Sequence, residues 1–474
     1  MRRFLARTAS LTIRRPAGVP GRSAALLLPL LAALIGAVIG PVLGPTAASA
    51  DDGDLDPDFG TAGRVLPGTG LAGAVLARAD GSLRLAIWKF GQVGFLALHP
   101  DGSIDTSFGD GGFRTVPPEP QTAFYRPNAI FERPDGRLLL VTNANLPDRA
   151  VIVQVTADGE LDPDFGTDGV RQLIHGGTDS TMVWAAVLIG NGKLLLAGLC
   201  ADCGPSTNAD TMLTRLNENG ATDTTFGDNG WVVFDAYEGG SEYDQATALA
   251  FDSNGKILIA GGAGYSGEER PYVARRLANG DADFLFGGGD GILTLSAFAW
   301  KKATSLVVDP VSKRILVSTG EWGSPNSTFP GGVARITTSG ILDEEFGDGG
   351  MVTIDFEEGA VLQRIRLQSD RKIVGVGSVD AVGSQREGFL LVRLLPDGTL
   401  DTTFDDNGRK HVEFDLEPDG HDYATAMTLS GGRIVAVGAA MVGQDGNLAL
   451  VRTANALIFT DGFERGSTAS WSGY

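Results

Sequence analysis

A nine-residue motif recurs along the chain and constrains its fold more than any other feature. It reads LDPDFGTAG at 55–63, IDTSFGDGG at 104–112 and LDPDFGTDG at 161–169. Seven copies stand 49 to 61 residues apart, each with an aspartate three residues before a phenylalanine. Such a period indicates that the chain stacks copies of one supersecondary unit. The paired positions are Asp56 and Phe59, Asp105 and Phe108, Asp162 and Phe165, Asp223 and Phe226, Asp283 and Phe286, Asp343 and Phe346, and Asp401 and Phe404.

The segments between the motifs also correspond to one another. A typical interval contains the alternating run ATALAFD (246–252) and the runs GKILIAG (255–261) and YVARRLANG (272–280). A short run such as WVVFD (231–235) follows each motif. Runs of this length bounded by Gly, Asp, Asn or Pro are typical of β-strands. Glycine, at 67 of 474 residues, is about twice as common as usual, which fits many tight turns.

Four antiparallel strands repeated seven times predict an all-β fold, a seven-bladed β-propeller. The alternating run is expected to be the innermost strand of each blade, and the run after the motif its outer edge. The last blade lacks a fourth run, whereas RVLP (64–67) is spare at the beginning. This N-terminal strand is predicted to join the last blade and close the ring, which covers a free sheet edge. A β-solenoid and a string of small sandwiches are the alternative folds.

The repeat unit resembles a known module. Runs such as GKILIAG (255–261) and RLLPDGTLDTTF (393–404) look like the delta-60 repeat of exported bacterial proteins. The resemblance covers about residues 54–454, nearly all of the chain after its N-terminal segment. It implies a propeller-like repeat domain and brings no catalytic residues to transfer.

Each part of the motif has an expected structural role. The aspartate is expected to accept backbone N–H bonds in an Asx-type turn. The phenylalanine is expected to insert between neighbouring blades, and the glycines to reverse the chain toward the outer strand. Six of the seven copies have glycine directly after the phenylalanine, with Asp405 as the exception.

The first fifty residues are predicted to be an export signal. Six arginines and no acidic residue precede the apolar run AALLLPLLAALIGAVIGPVLG, and the small-residue ending Ala48-Ser49-Ala50 follows. Cleavage after Ala50 is favoured, with a retained membrane anchor as the alternative. The remaining 32 basic and 58 acidic residues would repel nucleic acid and anionic lipid. We therefore expect a monomer that has no membrane span after cleavage and binds no nucleic acid, extracellular or at the cell surface, with the periplasm as the alternative.

One acidic group is a weak candidate for calcium. Asp54, Asp56 and Asp58 with Gly60 spell D-x-D-x-D-x-G, like the start of a calcium loop. The matching positions in other copies hold Thr or Ser, and Val65 stands where a closing glutamate would be needed. A solvated turn is the favoured interpretation, calcium is the alternative, and no cofactor is required.

The two cysteines form a single C-x-x-C pair. Cys200 and Cys203 are separated from the next histidine in the sequence, His411, by about two hundred residues. Redox chemistry and half a zinc site are alternatives. In an exported chain a local disulfide is favoured, and its short ring predicts modest stabilisation.

The sequence predicts no catalytic residues. Neither G-x-S-x-G nor H-E-x-x-H occurs, and the four histidines are scattered. Five arginines recur in the third strands. The favoured interpretation is that they pair with the repeat aspartates, and the alternative is that they bind anionic groups of a ligand. Function tends to break a repeat, so non-recurring side chains are also of interest. The arginines are Arg215, Arg276, Arg335, Arg393 and Arg452, and the non-recurring residues are Trp88, Trp184, Trp300, Trp322, His175, Tyr237, Tyr243 and Tyr265.

These observations predict an exported binding or interaction module for a protein or glycan at the cell surface, carried by residues 51–454. Segments 199–210 and 262–271 are the best candidates for a binding face. A carbohydrate-active hydrolase or lyase on a propeller scaffold and a structural surface-layer component are the alternatives. The ending LIFTDGFERGSTASWSGY (457–474) lies outside the repeat, and 455–474 is expected to be a sorting element or a disordered terminus.

Overall fold

The alternating apolar runs form strands joined by tight turns. The protein is described here from a computed structural model, in which every strand lies within residues 52–454 and none of the described residues is helical. The predicted export signal (1–50) and tail (455–474) lie outside the described residues. The described range excludes 117–121, 146–147, 177–179, 204–208, 238–242, 265–268, 296–301, 321–330, 355–359, 381–386, 406, 418–419 and 444.

The strands pair in four-stranded antiparallel units, mostly in sequence order. The first three units are β2 (Leu71–Ala77), β3 (Leu83–Lys89), β4 (Gln92–Leu98) and β5 (Phe113–Val116); β6 (Ala129–Glu132), β7 (Leu138–Ala144), β8 (Arg149–Val155) and β9 (Val170–Gln172); and β10 (Thr181–Leu188), β11 (Leu194–Ala201), β12 (Ala209–Leu216) and β13 (Trp231–Phe234).

The later units have the same order. They are β14 (Gln245–Phe251), β15 (Ile257–Ala263), β16 (Arg270–Arg276) and β17 (Ile292–Thr294); β18 (Lys302–Val308), β19 (Ile315–Gly320), β20 (Gly331–Ile336) and β21 (Met351–Ile354); β22 (Ala360–Leu367), β23 (Ile373–Asp380), β24 (Glu387–Leu394) and β25 (Arg409–Val412); and β26 (Asp422–Ser430), β27 (Arg433–Val442) and β28 (Asp445–Arg452).

The last unit takes its fourth strand from the other end of the chain. Strand β1 (Arg64–Thr69) pairs antiparallel with β28, and Arg64 faces Val451 in that register. The resulting sheet has the order β1–β28–β27–β26. The spare N-terminal run therefore covers an edge of β28 that would otherwise offer unpaired backbone groups.

The hydrophobic core lies between the units. Phe226, for example, packs with Leu213 of β12 and with Ile259 and Tyr272 of β15 and β16. Apolar faces of neighbouring sheets thus bury one another, which is the packing of a β-propeller. The second and third units are also joined by one parallel pair, Thr181 with Arg149. Among the described residues, no helix is long and apolar enough to cross a bilayer.

Candidate functional site

The first strand of most units contains one extra residue. The pairing register between first and second strands shifts at a single position in six of the seven units, which marks a β-bulge. A bulge inserts an unpaired residue and re-aims its side chain. The bulged residues are Gly73, Trp184, Thr247, Thr304, Gln363 and Thr425.

The bulged residues meet at one cavity, here called the first-strand pocket. Its volume is about 360 Å³, and first-strand residues or the residues just before them in all seven units line it. A second cavity of about 160 Å³ shares Trp184 and Arg364 with it and adds Arg366. The lining used below consists of Gly73, Arg126, Asn128, Trp184, Thr247, Thr304, Gln363, Arg364 and Thr425.

Short polar side chains at the bulges hold neighbouring units together. The Thr304 hydroxyl donates to the Leu362 carbonyl at 2.6 Å, and the Thr425 hydroxyl donates to the Ala72 carbonyl at 2.7 Å. Asn128, which precedes β6, makes the same kind of bond through Nδ2 at 2.7 Å to Val183. These bonds join one first strand to the next in the wall of the pocket.

Three bulged positions, and the position after one of them, break this pattern. Three of the bulges have threonine, whereas the other three hold Gly73, Trp184 and Gln363. Directly after Gln363 stands Arg364, where every other unit has alanine or serine. A guanidinium therefore enters the cavity at a place where the repeat otherwise supplies a small side chain. The equivalent residues are Ala74, Ala129, Ala185, Ala248, Ser305, Arg364 and Ala426.

Positive charge gathers at the pocket. Burial together with the nearby charges of Arg366 and Arg126 lowers the pKa of Arg364 to about 10. Burial also lowers the pKa of Arg126 to about 10, and burial lowers the pKa of Arg366. A guanidinium with a pKa near 10 is still charged at neutral pH, so these side chains repel one another.

Few negative groups offset this charge. No carboxylate lines the first-strand pocket within the described residues. Lys302, also in the lining, lies 3.7 Å from Glu269. Arg364 instead uses Nη1 to donate to the Thr304 carbonyl at 3.0 Å and the Gln363 carbonyl at 2.8 Å. The pocket is thus cationic in a chain whose net charge is −20.

A buried carboxyl lies beside the pocket wall. Asp244 precedes Gln245 of the lining and accepts N–H bonds from Ala236 at 2.6 Å and Gly264 at 3.2 Å. Burial, aided by neighbouring Asp235, raises the pKa of Asp244 well above that of a free aspartate. This carboxyl stands directly before Gln245, the first residue of β14.

The repeat motif has a different environment. In six copies the first carboxylate oxygen of the aspartate accepts the N–H two residues later; Thr403 donates to Asp401 at 3.1 Å. The motif phenylalanines are buried between units. In six copies an arginine donates to the aspartate and stacks on the phenylalanine. Arg393 Nε, for example, lies 2.7 Å from Asp401, and its guanidinium lies 4.7 Å from the Phe404 ring. The motif geometry thus has the form of a structural joint.

The recurring arginines occupy this joint, with one correction. Arg215, Arg335, Arg393 and Arg452 donate to the motif aspartates. In the fourth unit the partner of Asp283 is Arg275, at 2.6 Å, and Arg276 instead stacks over Phe234 at 3.8 Å. Alternate residues of a strand face opposite sides, so the one-residue difference sends Arg276 to the other face.

The motif glycine is required by the backbone. Gly227 has a φ of 53°, and an added Cβ would lie 2.2 Å from the Trp231 carbonyl oxygen. The exceptional Asp405 adopts the same left-handed region, with a φ of 43°, and pairs with Lys410. Aspartate tolerates this region better than most residues, so the turn persists without glycine.

The proposed calcium ligands are engaged differently from one another. The buried Asp56 carboxylate accepts from Arg452 at 2.7 Å and lies 3.3 Å from Arg433, whereas Asp58 is exposed. Two cations thus already compensate the central carboxylate. Calcium binding at Asp54, Asp56 and Asp58 stays a prediction for a titration to test.

The cysteines are joined in the β11–β12 hairpin. Cys200 and Cys203 form a disulfide with Cα atoms 5.9 Å apart. A ring nitrogen of His175 and the two sulfur atoms lie within 4.8 Å of one another. The disulfide occupies both sulfurs, so metal binding by these three residues would first require reduction.

The non-recurring aromatic residues have separate environments. Trp184 lines the first-strand pocket, whereas Trp88 donates Nε1–H to the Phe124 carbonyl at 2.6 Å. His175 packs edge-on against Trp231. Trp300, Trp322 and Tyr265 lie outside the described residues, as do parts of the predicted binding segments 199–210 and 262–271.

Three cations of the two cavities, Arg126, Arg364 and Arg366, were not singled out in the sequence. The signal that could have found Arg364 is an alignment of the first strands, where it alone departs from Ala or Ser. Arg126 stands two residues before Asn128, a position where Lys302 is the only other cation. These first-strand patterns are much weaker in the sequence than the recurring motif.

A family model supports the propeller-like repeat. A domain of unknown function, the DUF5122 beta-propeller, matches residues 133–165, 253–286 and 368–404. Each matched stretch ends at a motif phenylalanine. The search of curated proteins found no match to this chain.

Similar solved structures include two enzymes and Drosophila Semaphorin 2a. One is a catalytically inactive virginiamycin B lyase of Staphylococcus aureus with quinupristin: TM-score 0.44, 12% identity, covering 82% of this chain and 99% of that chain. Another is the PQQ-bound aldose sugar dehydrogenase of Streptomyces coelicolor, with a TM-score of 0.40 and 14% identity, covering 71% of this chain and 100% of that chain. Drosophila Semaphorin 2a has a TM-score of 0.46 and 10% identity, covering 86% of this chain and 76% of that chain. Likenesses this distant assign no activity to this chain.

Proposed function

We propose that this chain is an exported, monomeric β-propeller that binds a ligand in the first-strand pocket. The observation that carries the proposal is the convergence of all seven units on one cavity whose lining departs from the repeat. Repeated residues such as Thr304 and Thr425 build the wall, and unique residues such as Trp184 and Arg364 enter the space. A volume of about 360 Å³ is in the usual range of ligand pockets, about 300–1,000 Å³.

The finer architecture belongs to the same proposal. The ring has seven four-stranded blades and is closed by β1. The pairing of β1 with β28 supports closure, as does the bond from Thr425 in the last unit to Ala72 in the first. Closure matters for function because it holds the wall of the pocket in one piece.

Binding is preferred to glycoside hydrolysis on the chemistry of the lining. A hydrolase needs two carboxyl groups about 5–9.5 Å apart, one of which donates a proton. The described lining offers guanidinium, amide, hydroxyl and indole groups instead. These groups recognise a polar ligand, and none has the acidity or nucleophilicity of that pair.

Export and oligomeric state have direct tests. Intact-mass analysis of the cell-free medium and of the periplasmic fraction should find a chain beginning at Asp51. Light scattering of that material should give the mass of one chain. A chain that retains residues 1–50 in the membrane fraction would contradict export.

The ligand pocket can be tested by affinity selection. The purified chain is incubated with a monosaccharide and oligosaccharide extract of the bacterial envelope, and the retained molecules are identified by mass spectrometry. Trp184→Ala should lose the retained molecule, whereas Phe90→Ala, at a residue 74% exposed and outside the pocket, should keep it. Equal retention by both variants would place binding elsewhere and overturn the proposal.

A further inference from the structure

We propose that the ligand of the first-strand pocket is a saccharide whose hydroxyl groups bond the side-chain amides of Gln245 and Gln363. The inference rests on the proposed function and names the chemical class of its ligand. It depends on two buried amides that have no partner in the protein, on their place in one cavity and on the indole ring beside them.

The two glutamines are buried, and their amides are unpaired. Gln245 is 6% exposed and Gln363 is 9% exposed. Nε2 of Gln245 and Oε1 of Gln363 have no hydrogen-bond partner, and no hydrogen bond within the described residues uses the other atom of either amide. A buried amide of this kind has lost its bonds to water without gaining bonds to protein, so it needs an explanation.

The other buried side-chain amides in the described part of the chain are bonded. Asn143 and Gln368 donate to backbone carbonyls at 2.9 Å and 3.2 Å, and Gln154 donates to a carboxylate at 2.6 Å. Among these buried amides only Gln245 and Gln363 make no such bond, and both line the first-strand pocket. The unpaired amides therefore coincide with the cavity, and a ligand there would supply their partners.

The two glutamines come from different units and do not recur. Gln245 begins β14, two residues before the bulged Thr247, and Gln363 is the bulged residue of β22. No other unit has glutamine at either position. Amides contributed by two separate strands to one cavity can bond different groups of a single ligand, and their absence from the other units matches a site that occurs once in the molecule.

The chemistry of the amide defines the ligand. Each glutamine offers two N–H donors and a carbonyl acceptor, and a hydroxyl group can both accept from the first and donate to the second. The hydroxyls of Thr304 and Thr425 already donate to carbonyls of the next unit, so they are not the groups that the ligand bonds. Trp184 adds an indole ring, which suits the apolar face of a sugar ring. Several hydroxyl groups on a ring with an apolar face describe a saccharide.

The test is saturation-transfer difference NMR with the full purified chain. The probes are the uncharged sugars D-glucose, D-galactose, D-mannose and N-acetyl-D-glucosamine, with cyclohexanol as a ring that carries a single hydroxyl group. We expect at least one sugar to bind and cyclohexanol to bind roughly tenfold or more weakly, because a site that bonds hydroxyl groups rejects a ring that lacks them. Failure of all four sugars to bind, or cyclohexanol binding as tightly as the best sugar, would overturn the inference.

Variants tie the binding to the two amides. Gln245→Met and Gln363→Met keep an unbranched side chain and remove its hydrogen-bonding groups. Each should weaken the bound sugar roughly 10- to 100-fold without lowering the melting temperature, because the amide that it removes has no partner in the protein. The control is Gln368→Met, at a buried and bonded glutamine outside the pocket, which should keep the affinity and lower the melting temperature slightly. Unchanged affinity in both pocket variants would overturn the inference, since the amides would then bond ordered water only.

The outcomes separate this inference from the proposed function. If affinity selection from an envelope extract yields a Trp184-dependent molecule that contains no sugar, the pocket is a ligand site and the saccharide inference is overturned. If the selected molecule is a glycan whose retention falls in Gln363→Met, both proposals are supported. If no sugar binds and affinity selection also yields no Trp184-dependent molecule, both proposals fail together.

Discussion

Arginine serves two regions of this molecule in opposite ways. In the motif joint, Arg393 is fully buried, bonds Asp401 at 2.7 Å and stacks on Phe404. In the first-strand pocket, Arg364 bonds only backbone carbonyls within the described residues and faces other cations. The joint residues recur because every interface between sheets needs them. The pocket residues differ from unit to unit because the molecule has a single first-strand pocket.

The difference teaches where function is to be sought in a repeat protein. Recurring residues that bond one another indicate a structural role, whereas a side chain that breaks the repeat and lines a cavity indicates ligand recognition. Mutations should therefore have contrasting effects, large on stability in the joint and large on binding in the pocket.

The largest effect is expected at the joint's hydrophobic centre. Phe226→Ala should lower the free energy of unfolding by about 3–5 kcal/mol, because it truncates a fully buried ring and leaves a cavity. Urea denaturation followed by circular dichroism measures the change. The control is Phe284→Ala, at a ring 68% exposed two residues before a motif phenylalanine, which should be nearly neutral. An unchanged unfolding midpoint for Phe226→Ala would refute the packing role.

The joint's ion pair should come next. Arg393→Ala removes the stack on Phe404 and a cation from the buried Asp401 carboxylate, and should cost about 3 kcal/mol. Asp401 keeps Lys372 at 2.9 Å, which limits the loss. A loss of unfolding free energy no larger than that caused by truncating an exposed arginine would contradict the structural role of the joint.

A covalent link outside both regions should matter less. Cys203→Ser opens the disulfide of a four-residue ring and should cost about 2 kcal/mol or less by loop entropy. Denaturation in the absence of reductant measures it. A cost above that of Phe226→Ala would mean that the hairpin, rather than the joint, dominates stability.

Acid should weaken the joint before it affects the pocket. Burial raises the pKa of Asp401, but bonds from Thr403 and Lys372 and the charge of Arg393 outweigh it and bring the pKa to about 2. An aspartate with a lowered pKa contributes stability above pH ~3.8 that is lost as pH falls toward 2. The unfolding midpoint should therefore fall between pH 4 and pH 2, and less steeply in Asp401→Asn. An equal slope in both would exclude Asp401 as a source of the acid sensitivity.

The smallest effect on stability is expected in the pocket. Arg364→Ala removes a repelling charge and restores a small side chain, so stability should change by about 0.5 kcal/mol at most, or rise. The same denaturation series measures it beside Arg393→Ala. A loss as large as that of Arg393→Ala would show Arg364 to be structural.

Much of the fold could be predicted because the same pattern of strands and turns recurs in every repeat. Seven copies of the motif averaged out local ambiguity, and the strand order within each unit followed from the runs around Phe226 and its equivalents. The spare N-terminal run pointed to the incomplete last unit, and β1 pairs with β28 as the sequence indicated.

The candidate site could not be predicted in the same way. A β-bulge shifts side-chain direction by one residue, and simple alternation along ATALAFD does not reveal which residue is extra. Arg126 and Arg364 are distant in sequence and meet only when the units assemble. Arg276 illustrates the same limit, since one residue separates a joint arginine from a ring-stacking one.

The most direct measurement is affinity selection by the full purified chain from an extract of the bacterial envelope, with the retained molecules identified by mass spectrometry. The account predicts one molecule that the parent chain and Phe90→Ala retain and that Trp184→Ala loses. Equal retention by all three proteins would contradict a ligand site in the first-strand pocket.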